Sequence, residues 1–136
     1  AKGGWGSASV ERGDALWLLD TGATTTQRVS FAGEVPDVRN LAATTTISIV
    51  GLDAVAYPYP TEIDFTNTTL VQGSAVGDTA HFWDPGSQTY NTISKTAKGG
   101  WGAVSTKVLG IGEAFWYQPA DGSEDWTEVI KYDLSN

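Results

Sequence analysis

The chain of 136 residues contains no cysteine, so neither a disulfide framework nor a thiolate zinc site can support it. It contains no methionine either. Position 1 is Ala, a small residue of the kind signal peptidase leaves behind, and the expectation is a processed, exported protein. Basic residues are scarce: eight Lys and Arg stand against sixteen Asp and Glu, for a formal net charge of −8. Such a surface repels a polyanion, and no basic stripe interrupts it, which argues against nucleic acid as a partner. No run approaches the eighteen apolar residues of a membrane span. Histidine occurs once, at His81.

What is present is aromatic. Six Trp, five Tyr and four Phe supply the anchors of a packed core and argue against disorder. A chain of this length can bury roughly two-thirds of its unfolded surface, so residues 1–136 are read as one domain. Thr is abundant where Lys and Arg are few, a composition suited to exposed β-structure at a cell surface.

Strand signals dominate. Ala15-Leu16-Trp17-Leu18-Leu19 is a short apolar run, Asp20-Thr21-Gly22-Ala23 reads as a turn, and Gln27-Arg28-Val29-Ser30-Phe31 alternates polar with apolar. The pattern recurs as Thr79 to Trp83, the turn Asp84-Pro85-Gly86-Ser87, and Tyr90 to Ser94. A third copy runs Ala114-Phe115-Trp116-Tyr117, a loop through Asp121-Gly122-Ser123, then Trp126 to Ile130. Each hairpin is introduced by a glycine and an acid: Gly13-Asp14, Gly77-Asp78 and Gly112-Glu113. A positive φ at the glycine and a local hydrogen bond to the acid would serve a bend there. Thr44 to Val50 and Leu52 to Tyr57 form another β-prone pair around Gly51. Tyr57-Pro58-Tyr59-Pro60 must leave the sheet interior, and Thr66 to Gln72 suits a single helical turn. The fold expected is all-β, an antiparallel sandwich or partly open barrel of pseudo-repeated hairpins. Trp17, Phe31, Trp83, Trp116 and Ile130 are its expected core residues.

Ala1-Lys2-Gly3-Gly4-Trp5-Gly6 recurs without change as Ala97-Lys98-Gly99-Gly100-Trp101-Gly102. Each copy leads, after a short spacer, into a Gly-acid pair and a Trp strand, so residues 1–37 and 97–136 read as two copies of one module end. Residues 51–96 read as a first half present once. Gly33-Glu34-Val35-Pro36-Asp37, Tyr57-Pro58-Tyr59-Pro60, Gly77-Asp78 with Trp83-Asp84, and Gly112-Glu113-Ala114-Phe115-Trp116-Tyr117 before Trp126-Thr127-Glu128 form a set. Together they resemble uncharacterised secreted bacterial proteins built from β-rich units with Gly-x-x-Phe-Trp-type ends. The resemblance spans most of residues 13–132. It implies secretion and repetition and supplies no activity or catalytic residue.

Catalysis finds little footing. His81 lies on an expected strand and no Gly-x-Ser-x-Gly elbow exists, so it reads as a packed strand residue. Asp14, Asp20, Asp78, Asp84, Glu113 and Asp121 could pair as glycosidase carboxylates, yet each sits at a bend or turn where an acid has a local structural role. Asp121, Ser123, Glu124 and Asp125 crowd hard oxygen ligands into five positions and form a candidate calcium site, without the distant bidentate Glu of the full loop pattern. Trp5 and Trp101, in Gly-rich surroundings expected to be exposed, are the candidates for stacking a sugar ring. Asn67-Thr68-Thr69 is a glycosylation sequon. The function expected is structural and non-enzymatic: a subunit of an extracellular filament, surface layer or adhesive array, its copies joined head to tail through residues 1–12, with Ala1 to Gly6 at the contact. A secreted carbohydrate-binding module is the alternative.

Overall fold

A computed structural model describes residues 10–16, 44–102 and 106–130. Strand β1, Thr44–Val50, is rich in β-branched residues and alternates. Ile47 and Ile49 turn inward, while Thr46 and Ser48 turn outward to meet the Thr127 hydroxyl at 2.8 Å and Asp125 Oδ1 at 2.6 Å. Those partners lie on β8, Ser123–Val129, which runs antiparallel to β1 from Thr44↔Val129 to Val50↔Ser123. The chain then bends at Gly51 into β2, Asp53–Ala56, which pairs with β7, Ala114–Gln118. Because β7 leads into β8, both partners bend at one place, and the Gly51 N–H donates to the Gly122 carbonyl at 2.8 Å. One long antiparallel ribbon thereby folds over at two glycines and contributes to two sheets.

The larger sheet has the order β2-β7-β4-β5, with β4 at Thr79–Asp84 and β5 at Thr89–Ser94 joined as a hairpin. A short pair, β3 (Ile63–Asp64) with β6 (Val108–Leu109), forms a separate two-stranded sheet. A 3-10 turn, Phe65–Asn67, precedes the one-turn helix α1, Thr69–Gly73, which begins where the Thr68 hydroxyl accepts from the Val71 N–H. The inner faces of both main sheets meet in one core. Phe65 is its hub, edge-on to Phe82, Trp101 and Phe115 at centroid distances of 5.2, 5.3 and 5.6 Å. The fold is all-β and antiparallel, and it is not a closed barrel. Among the described residues no helix is long and apolar enough to cross a membrane.

The expected β4–β5 hairpin and the single helical turn are present. The third expected hairpin is not one: β7 and β8 pair with different strands in different sheets, because the bend at Gly122 carries the chain across the core. Likewise β1 and β2 do not pair with each other across Gly51. Tyr57 and Tyr59 leave the sheet as expected and are buried, with Tyr59 donating to the Glu128 carbonyl at 3.1 Å. Trp17, Phe31 and the 1–37 half of the repeat, apart from residues 10–16, lie outside the described residues.

Candidate functional site

Three turns of one design set the strands in place. In Glu11-Arg12-Gly13-Asp14, Ala75-Val76-Gly77-Asp78 and Gly110-Ile111-Gly112-Glu113, the acid's N–H donates to the carbonyl three residues back, and its carboxylate accepts the N–H of that same residue. The glycines take φ of +92°, +102° and +74°, so both features of the Gly-acid pair are used. Three of the carboxylates weighed as catalytic groups are thus turn locks. Asp78, 1% exposed, also accepts from the Tyr117 hydroxyl at 2.6 Å and the Ala120 N–H at 2.8 Å. Burial, then this bond, pushes the Tyr117 phenol upward, so it stays protonated. Asp84 closes the β4–β5 turn, accepting from Ser87 Oγ and the Gly86 N–H, and these two bonds lower its pKa. Asp121 lies exposed in the β7–β8 turn, and Asp20 lies outside the described residues.

The outer face of the four-stranded sheet carries the candidate site. On β4, Ala80 and Phe82 point into the core and leave His81 and Trp83 outside; on β7, Phe115 and Tyr117 point inward and leave Trp116 outside. Trp116 is opposite His81, and Trp83 is opposite Tyr90 of β5. Trp83 and Tyr90 are 42% and 39% exposed and meet edge-on at 5.0 Å. The Trp116 indole N–H donates to the Tyr90 hydroxyl at 3.1 Å. These aromatics, with Leu16 and Ala54, line a cleft of about 230 Å³, and an adjoining one of about 290 Å³ lies among Leu52, His81, Tyr90 and Trp116. His81 Nδ1 is hydrogen-bonded to the Thr92 hydroxyl at 2.7 Å, while its buried Nε2 has no partner.

This arrangement corrects two expectations about the core. Trp83 is exposed and Trp116 half-buried, because strand alternation places each one position out of phase with the buried residues beside it. Ile130, as expected, is buried. A third correction concerns Trp101, which is 6% exposed rather than open for stacking. Thr96 and Gly100 exchange backbone hydrogen bonds and reverse the chain, so Trp101 enters the core beside Phe65 and Tyr117 and donates to Ser74 Oγ at 3.0 Å. Trp5 and the contact residues Ala1, Lys2, Gly3, Gly4 and Gly6 lie outside the described residues. The candidate calcium ligands are divided by β8: Ser123 and Asp125 face outward, Glu124 faces inward, and Asp125 is held by Ser48. Among the described residues, no three His, Cys, Asp or Glu gather as a metal site.

Tyr90 and Leu52 were missed from the sequence. Tyr90 was within reach, since the Asp84-Pro85-Gly86-Ser87 turn sets it across from Trp83; Leu52 joins the face only through the long-range pairing of β2 with β7. Comparison with family models, with curated proteins and with solved structures gave no match.

Proposed function

We propose that the chain is a non-catalytic structural unit of an extracellular array, in which copies join head to tail by adding a strand to the outer edge of β5. The observation that carries this is β5 itself. Among the described residues it pairs with β4 alone, five of its six residues are exposed, and Thr-Tyr-Asn-Thr-Ile-Ser contains no charge and no proline. Natural edge strands are usually blunted by one or the other.

The opposite end of the sheet supports the head-to-tail sense. The Ala56 N–H donates to the Gly13 carbonyl at 2.9 Å and Asp14 bridges to Val55, so the N-terminal arm reaches the sheet at β2, the far edge from β5. An arm at one edge and an acceptor at the other make a heterologous contact, which grows into rings or filaments. Few basic residues, many threonines and the likeness to secreted repeat proteins support the extracellular setting.

The test is mass by light scattering at high concentration for the intact chain, a variant lacking residues 1–12, and Ser94→Pro. Lys95 turns its N–H and carbonyl toward β4, so by alternation residue 94 points its N–H outward, and proline there blocks the edge without touching the β4 ladder. Oligomers in the intact chain and monomers in both variants are expected. A strictly monomeric intact chain overturns the reading.

A further inference from the structure

Beside that edge, the outer face of the sheet is built for a ligand that strand addition does not use. We propose that Trp83, Tyr90 and Trp116 form a platform for a neutral polysaccharide, whose pyranose faces stack on the rings while hydroxyls meet the polar groups between them.

Four observations favour a neutral sugar chain over other occupants. The rings are held before any ligand arrives, Trp116 by its bond to Tyr90 and Tyr90 by its contact with Trp83, so little side-chain entropy is lost on stacking. A saturated pyranose can lay its C–H face flat on such a ring, burying apolar area while its hydroxyls stay at the rim. Among the described residues, the clefts hold no formally charged side chain, on a protein of net charge −8. Asp84, next in the chain to Trp83, is already engaged by Ser87 and Gly86. A cation finds no counter-charge there, and an anion meets a repelling protein.

The aromatic patch is also small and set among hydroxyls. Thr79 pairs with Ser94 at 3.0 Å and Thr92 with His81, a polar surround that suits a hydroxylated ligand better than the broad apolar face of a subunit interface. Finally, His81 Nε2 is buried without a partner at the wall formed by Leu52, Tyr90 and Trp116. Buried polar atoms are seldom left so; Nε2 is closed to solvent, so a ligand hydroxyl supplies the missing bond only when a side chain at that wall shifts on binding.

The experiment is affinity electrophoresis and calorimetry of the full chain against soluble β-glucan, xylan, galactomannan and starch, with intrinsic tryptophan fluorescence read alongside. At least one of these is expected to bind, to perturb the fluorescence, and to remain bound at about 0.5 M salt, where charge attraction is screened. Trp83→Ala and Tyr90→Ser should each weaken binding about tenfold, the loss of one stacking ring, with the thermal midpoint of the protein preserved. The variant lacking residues 1–12, none of which the platform uses, should bind as the parent does, which separates this site from the assembly contact. Failure of every neutral polysaccharide to bind overturns the proposal, as does binding that survives both aromatic substitutions. Equally contrary is a Trp83→Ala variant that changes only the oligomeric mass, since the face would then be a protein interface.

Discussion

Glu128 is fully buried, and Oε2 accepts from the Thr69 N–H at 2.9 Å and the Trp126 indole at 3.1 Å, tying the start of α1 to β8. Removing the carboxylate leaves the buried Trp126 indole N–H and the part-buried Thr69 N–H without this acceptor. Glu128→Ala should therefore cost about 2–4 kcal/mol, and Glu128→Gln, which keeps an acceptor, clearly less; urea midpoints check both. Glu124 behaves differently. Burial, then the neighbouring charge of Asp78, holds its carboxyl above the ordinary 4.5. A carboxyl that keeps its proton more tightly when folded stabilises the protein below its unfolded pKa, and this contribution is lost as pH rises through the folded value. Glu124→Gln should accordingly gain thermal stability relative to the parent as pH rises from 4 toward 7 and show little difference near pH 3, as a melting series would reveal. A gap that is constant across the series contradicts this assignment.

At the scale of elements, the out-of-phase tryptophans can be tested directly. Trp126 is 1% exposed and packs 6.3 Å from Phe115, whereas Trp116 lies half-buried on the outer face. Trp126→Ala should cost about 3–5 kcal/mol and Trp116→Ala distinctly less; equal losses by chemical denaturation would place both in the core. The Gly-acid turn is the second target. Gly77 sits at φ +102°, and an added Cβ would approach the Ala120 Cβ to 3.2 Å, so Gly77→Ala should cost about 1–2 kcal/mol by the same measurement.

Those turns were legible in the sequence because a glycine followed by an acid is local chemistry, and so were β1, β2, β4, β5, β7 and β8 and the β4–β5 hairpin, whereas the two-residue β3 and β6 were not. The phase of Ala114-Phe115-Trp116-Tyr117 was not, since a wholly apolar run carries no alternation to read. Nor was the pairing of β8 with β1, which depends on two chain bends, at Gly51 and Gly122, meeting in space. Trp101 looked exposed among its glycines, but they serve to turn it inward, and its cavity is walled by Phe65, Tyr117 and Ser74 from elsewhere in the chain.

For the whole molecule, the large sheet has two unlike ends. At β2 the Gly13-Asp14 turn is docked, so close that a side chain at Gly13 would overlap Ile47, with a Cβ only 2.6 Å from its Cγ1. At the other end β5 is uncharged and outermost, beside an aromatic face. The central claim is that this second edge receives a strand from another copy. Amide hydrogen exchange at Tyr90, Thr92 and Ser94, whose N–H groups point away from β4, tests it most directly. The assembly account predicts that these three amides become protected as protein concentration rises and lose that protection on dilution or in the variant lacking residues 1–12. Exchange that is equally fast at every concentration would contradict it.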